Sequence, residues 1–305
     1  MSKLVARLSL TLVTALALAG CGSSSSSTSS SNTTSTPASA TATTATTDAT
    51  VAAQVPAAIK SKGTLNVATE AQYAPNEFIA PDGHTVIGMD ADLTHALAAV
   101  MGLKANLINS NFETIIPGLA AGRYDLGVSS FTDTKEREKT VDFVDYFNAG
   151  ISFYAKTTSN PGVKTIADLC GKTVAVEKGT VELEEATKQS ATCTKEGKKA
   201  VTVLSFPGQN PVSLAVASGR AELGMADSPV VAYQIKQNGQ QFKLIGESYA
   251  FAPYGIAIPK NTGMTTPTLA ALKQLMADGV YTAILAKWGL ESGAITEATI
   301  NGAKS

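Results

Sequence analysis

The 305 residues carry a formal net charge of -1, from 24 Lys and Arg against 25 Asp and Glu, with 44% hydrophobic and only 16% charged side chains. Such a balance excludes a polyanion binder, which needs a basic surplus or stripe to displace counterions. The length admits one large domain or two ordinary ones, but 20 of the 29 residues at 22–50 are Ser or Thr, and Asp48 is their single charge. Setting aside everything before about residue 60 leaves roughly 245 residues, enough for one big domain or two lobes with cores of their own.

In chain order, Lys3 and Arg7 form a basic head before the apolar run Leu8 to Ala19, which is too short to span a bilayer comfortably. The sequence Leu18-Ala19-Gly20-Cys21 resembles the lipobox of bacterial lipoproteins. That resemblance implies a signal peptide at 1–21, a lipidated Cys21 and a protein anchored outside the cytoplasm by lipid alone. The plainer alternative is an ordinary secretory signal with Cys21 near its cleavage site. Cleavage before Cys21 removes only Lys3 and Arg7 from the charge count and leaves -3. Residues 22–60 are expected to be a disordered Ser/Thr-rich linker, because they hold too little apolar volume for a core. A linker of ~40 residues reaches roughly 35 Å.

Export also governs the remaining cysteines. Cys170 and Cys193 are the only pair after Cys21, and an oxidising compartment favours a bridge between them, stabilising by about 3 kcal/mol. Two buried thiols are the alternative. With only His84 and His95 elsewhere, zinc-ligand spacing is missing, and neither a metal nor a cofactor is expected.

The body starts near Gly63. Thr64 to Thr69 predicts a strand, stopped by the Tyr73-Ala74-Pro75-Asn76 loop. Asp90 or Asp92 is placed to cap a helix on which Leu93, Leu97, Val100 and Met101 recur at helical spacing. A strand at 103–108, a helix near 115–121 and a strand at 124–129 follow. The second half repeats this plan. Thr173 to Glu177 echoes Leu65 to Glu70, and Gly219-Arg220-Ala221-Glu222-Leu223-Gly224-Met225-Ala226 echoes Gly122-Arg123-Tyr124-Asp125-Leu126-Gly127-Val128-Ser129. Alternating strands and helices, twice over, predict an α/β fold of two similar lobes with mostly parallel strands.

Ligands in open α/β sheets gather beyond the carboxyl ends of the strands. Those ends carry Glu70, Ser129, Ser130 and Thr132 in the first half, and Glu177 to Thr180 and Asp227 in the second. Arg137 is the one well-placed cation. From spacing alone, it reads first as part of a solvated charged turn paired with a neighbouring Glu, and second as a fork that grips a carboxylate. Tyr73 and Phe112 could be core aromatics, Asp227 a helix cap, and Glu70 an acceptor for loop amides.

From Gly63 to Gly289 the chain resembles the polar amino-acid group of bacterial extracellular solute-binding proteins, family 3, the receptors of ABC importers. The resemblance rests on Ala68-Thr69-Glu70-Ala71-Gln72-Tyr73-Ala74-Pro75, Gly88-Met89-Asp90-Ala91-Asp92-Leu93, Phe112-Glu113-Thr114-Ile115-Ile116-Pro117-Gly118-Leu119 and Ser129 to Arg137. It continues in Asp168-Leu169-Cys170-Gly171-Lys172, Val176-Glu177-Lys178-Gly179-Thr180, Asp227-Ser228-Pro229, Pro253-Tyr254-Gly255-Ile256 and Lys287-Trp288-Gly289. It implies a type II periplasmic-binding-protein-like fold: lobe 1 at 63–149 plus 254–305, lobe 2 at 153–248, and two hinge crossings near 149–152 and 249–253.

Position by position, it implies that Arg137 holds a ligand α-carboxylate, helped by Ser130 and Thr132, and that Asp227 receives the α-ammonium. Tyr73 and Phe112 would sandwich the ligand side chain, while Glu70, Glu177 and Thr180 would read it. Val181 departs from the hydroxyl or glycine that some members carry. Two acids at the side-chain end suit a polar or basic amino acid. The implied partners are that ligand and an ABC permease, the implied state a monomer, and no enzyme activity is expected. Two rivals share the fold: an exported cyclohexadienyl-type dehydratase with Glu177 as its acid, and a ligand-sensing receptor domain.

Overall fold

The computed structural model describes residues 45–304. The signal at 1–21 and Cys21 lie outside the described residues. The Ser/Thr-rich tract gives way to folded chain earlier than residue 60. Asp48 caps helix α1 (Ala49–Gln54), accepting from the N–H groups of Thr50 and Val51, and α2 (Ala57–Lys62) follows. Val51 and Val55 are 6% and 3% exposed within the lobe 1 core, with Ile59 packed against it. Val51 lies on α1 and Val55 is the extended residue that ends it, a small apolar pair hidden from the compositional reading by the Ala and Thr around it. Burying two valines contributes about 1.5–3 kcal/mol each.

The first lobe continues with β1 (Thr64–Thr69), β2 (Gln72–Tyr73), β3 (Glu77–Ile79), β4 (Val86–Ile87), α3 (Met89–Val100), β5 (Lys104–Asn109), α4 (Phe112–Ala120) and β6 (Leu126–Gly127). A long strand β7 (Val141–Lys156) leads to β8 (Thr173–Glu177), α5 (Val181–Lys195), β9 (Thr202–Phe206), α6 (Gln209–Ala217), β10 (Leu223–Asp227) and α7 (Ser228–Asn238). A second long strand, β11 (Phe242–Pro259), returns to α8 (Thr265–Ala277) and α9 (Val280–Trp288). Neither aspartate caps α3, whose N-cap is Gly88. Asp90 turns inward to Ser130 and Tyr146, and Asp92 holds Lys287 and the Trp288 indole. Trp288 is therefore a packing residue.

Eight strands form one sheet in the order β5-β1-β6-β11-β7-β10-β8-β9. The two-fold plan is visible in that order. β1 lies between parallel β5 and β6, and β8 lies between parallel β9 and β10. The echoed segments deliver β6 and β10, which join the central pair antiparallel, one to β11 and the other to β7. Two separate groups of buried side chains follow this division: Leu65, Val67, Leu93, Val144 and Ile256 belong to the first, and Phe153, Leu169, Val174, Cys193 and Leu223 to the second.

The crossings are not loops. β7 and β11 run through both lobes as paired strands, with register shifts between Ile245 and Tyr249, Tyr249 and Ala252, and Tyr254 and Gly255. Irregular pairing of this kind bends and twists a strand. In lobe 2, the Sγ atoms of Cys170 and Cys193 lie 2.00 Å apart, across a sequence separation of 23. Among the described residues no helix is long and apolar enough to cross a membrane.

Candidate functional site

β1 and β6 run opposite in direction to β8 and β10, so the carboxyl ends of the two sets point toward each other, and the chain that leaves them meets across a cavity between the lobes. Tyr73, Phe112, Ser130, Thr132 and Arg137 line it from lobe 1. Glu177, Thr180, Val181, Glu182, Gln209, Met225, Ala226, Asp227 and Val230 line it from lobe 2. Eight of the nine residues singled out in the sequence therefore share one cavity. Glu70 stands behind its wall.

Arg137 sits in a 3-10 turn (Arg137–Lys139). Its Nη1 donates to the Thr132 carbonyl at 2.7 Å and its Nη2 to the Gly179 carbonyl at 2.9 Å. The guanidinium lies over Phe112 and Phe131, 5.4 and 5.7 Å from the ring centroids. That is a cation–π contact with each ring. Burial lowers its pKa, and the charges of Glu184, Glu182 and Asp227 oppose the shift. An arginine remains protonated in proteins, so the cavity keeps a positive charge with donors to spare. The second bond crosses between lobes and depends on a close approach: Gly179 has φ +77°, and a Cβ there would lie 3.0 Å from the Cα of Glu113.

The acids differ in their surroundings. Glu70, 1% exposed, accepts from the Phe112 N–H at 2.8 Å and from the Gln72 amide. Burial raises its pKa to about 7 against the opposing effect of those bonds. It thus does the work of an acceptor for loop amides. Glu177, 2% exposed at the end of β8, has two side-chain oxygens without a hydrogen-bond partner among the described residues, and the buried Tyr73 hydroxyl near it is likewise unpartnered there. Burial first, and then the charge of Glu70, push Glu177 up to about 9. Asp227 is the N-cap residue of α7, yet its side chain makes no capping bond. Its pKa rises through burial and then the charge of Glu182.

The hydroxyls are less available than their sequence positions suggest. Ser130 has φ +48°. Its N–H donates to Asp90, its Oγ donates to Glu77, and the Asn76 amide donates to that Oγ. Thr180 donates to the Glu177 carbonyl and caps α5. The Tyr73 and Phe112 rings meet edge to face at 6.0 Å rather than as parallel plates, and Phe112 stacks on Phe131 at 4.5 Å.

A family model for bacterial extracellular solute-binding proteins, family 3, matches residues 65–291. The chain belongs to this family. An arginine-binding protein of Corynebacterium glutamicum is 36% identical over 82% of each chain. Among solved structures, an ancestral arginine-binding protein bound to glutamine superposes with a TM-score of 0.69 at 34% identity, covering 75% of this chain and 99% of that one. An ancestral amino-acid-binding protein, a precursor of cyclohexadienyl dehydratase, gives 0.65 at 32% identity over 76% and 97%. The protein is a substrate-binding receptor for an amino acid, working with an ABC transporter outside the cytoplasm.

The sequence reading missed Glu182, the acid of this receptor that lies closest to the start of α5. It is 4% exposed, lines the cavity and has one buried oxygen without a hydrogen-bond partner. Burial raises its pKa, while its own backbone N–H, Thr180 and Arg137 favour the charged form. Glu182, Glu184 and Glu185 look alike in sequence, and only the helical phase set by the Thr180 cap distinguishes the inward one. Gln209 and Val230 were missed because each begins or follows a helix start with no chemical motif of its own.

Proposed function

We propose that the receptor takes a cationic amino acid, arginine first, between its lobes. One observation carries this reading: Glu177 brings two buried, unpartnered carboxylate oxygens into the same cavity as Arg137. Two oxygens in a plane match the fork of a guanidinium. A buried carboxylate without a partner is costly, so the ligand gaining most is one that pairs with it. The nearby charge of Glu70 and the Tyr73 hydroxyl strengthen the preference for a cation. Arg137 would hold the α-carboxylate with the Thr132 hydroxyl, and Asp227 the α-ammonium. Tyr73 and Phe112 would pack on the aliphatic part. Ser130 and Thr180 would act through main-chain shape, because their hydroxyls are engaged. The relatives named for arginine support the choice.

On this reading, lobe 1 (63–149 plus 254–305) and lobe 2 (153–248) close about the irregular stretches near 149–152 and 249–253. A ligand touching both lobes favours the closed form by its extra contacts there. The permease would read the closed surface of a monomeric receptor held at the membrane by lipid on Cys21. Calorimetry with arginine, lysine, glutamine and glutamate tests the ligand. Arginine should bind at least about tenfold more tightly than glutamine, a difference of about 1.4 kcal/mol; a preference for glutamate would overturn the proposal. A dehydratase reading has one observation in its favour, a Glu177 that keeps its proton to about pH 9 and so resembles a general acid. Turnover of a prephenate-like acid by the full chain would establish it.

A further inference from the structure

Gln72 stands between the two lobes with each end of its amide engaged. Its Nε2 donates to Glu70 Oε1 inside lobe 1, and its Oε1 accepts the N–H of Asn210 in lobe 2 at 3.0 Å. Asn210 is the second residue of α6, where the first N–H groups of a helix have no partner within it. The N-cap of α6 is Gly208, which has no side chain to supply one. Gln72 therefore caps α6 from the opposite lobe. The approach is tight: a Cβ on Gly208 would stand 2.5 to 2.9 Å from the Gln72 amide atoms. Gly208 has φ -172° and ψ 162°, extended backbone that an alanine adopts freely, so its lack of a side chain matters only where Gln72 arrives. Gln209, between them, lines the ligand cavity.

We propose that Gln72 is a positioning residue, a latch that caps α6 only when the lobes are together and so slows release of the bound amino acid. The latch is anchored to Glu70, whose other oxygen holds the Phe112 amide at the cavity wall. Opening the cleft separates Gln72 from Asn210 and leaves the α6 N–H uncapped, while both residues remain within their own folded lobes. The inference rests on the reading that the ligand lies between lobes that open and close.

The test uses the full chain with arginine as probe and stopped-flow kinetics. Gln72→Ala should raise the dissociation rate about five- to tenfold, the size of one lost helix cap, and leave the association rate unchanged. Loss of the Glu70 contact lowers the ligand-free melting temperature slightly, so the discriminating readout is the split between the rates: a merely structural Gln72 would not raise dissociation while leaving association unchanged. Gly208→Ala should raise the dissociation rate similarly in the wild-type background and have no effect when added to Gln72→Ala, since its Cβ then meets no amide. Unchanged dissociation in Gln72→Ala, or additive effects of the two substitutions, overturns the latch. If the wild-type protein binds no arginine, the ligand reading fails on its own. The latch is then judged by hydrogen exchange at the Asn210 amide, which should be faster in Gln72→Ala and is the same in both proteins if the latch is wrong.

Discussion

On the lobe 1 side of the cleft, the polar groups are largely tied to the protein itself. Glu70 holds two amides, Ser129 receives the Glu70 N–H and donates to Glu77, and Ser130 is fixed by Asp90, Glu77 and Asn76. On the lobe 2 side, Glu177 has two oxygens and Glu182 one with no hydrogen-bond partner among the described residues, and Asp227 leaves its own helix uncapped. One wall is therefore pre-organised, and the other presents buried acceptors whose partners must come from a ligand. Rigid placement lowers the cost of ordering on binding, while unpartnered buried acceptors supply discrimination, because a ligand without the matching donor leaves them unpaired. On the proposed reading, the first wall holds the α-carboxylate through Arg137, and the second supplies Asp227 for the α-ammonium and Glu177 for the polar end of the side chain.

The contrast can be broken most severely at Arg137. Arg137→Ala should cost about 2–5 kcal/mol of ligand binding by calorimetry, because it strands a carboxylate in the cleft; near-normal affinity would remove the first wall from the argument. Next comes the Cys170–Cys193 pair, which ties α5, and with it Thr180 and Glu182, to the rest of lobe 2. Replacing both cysteines by serine should cost about 3 kcal/mol in denaturant unfolding, with faster hydrogen exchange in α5 but not in β1. Free thiols found by non-reducing mass spectrometry would exclude the bridge.

Glu177→Gln should weaken arginine by about 1.5–3 kcal/mol, the worth of a charged hydrogen-bonded contact, and alter glutamine binding far less. Equal losses for the two ligands would dissolve the division of labour between the walls. The smallest effect is a pH profile. In the free protein Glu177 keeps its proton up to about pH 9, whereas a bound cation favours the ionised form. Arginine binding should therefore expel a proton and tighten as pH rises from 6 toward 9. The stability linkage has the opposite sign. The native pKa lies above the ordinary value of 4.5, so this stabilisation is complete below that value and is lost as pH rises through about 9. Glu177→Gln should flatten both profiles, measured by calorimetry and thermal melts at several pH values.

Much of this arrangement is legible locally. Strands at 64–69 and 173–177 show in their β-type residues, and the repeated Gly-Arg segments mark equivalent strands in two halves. Because ligand loops follow strand ends, the sequence alone places Ser130, Arg137, Glu177 and Asp227 near one another. Helix α1 does not show in the sequence because its single valine, Val51, is diluted by Thr and Ala, and its stability comes from packing against α8 rather than from its own propensity.

The sequence by itself determined the two-lobed α/β plan, the family and the neighbourhood of the site, because period, turn chemistry and motif order are properties of short stretches of chain. Only the tertiary structure decided which acids are used up and which stay available. Glu70 is engaged because Phe112 lies 42 positions on, Gln72 reaches its partner 138 positions away, and the Glu177 oxygens, with the Tyr73 hydroxyl near them, have no hydrogen-bond partner among the described residues. Burial and hydrogen-bond satisfaction depend on contacts between distant segments, and no local pattern of residues encodes them.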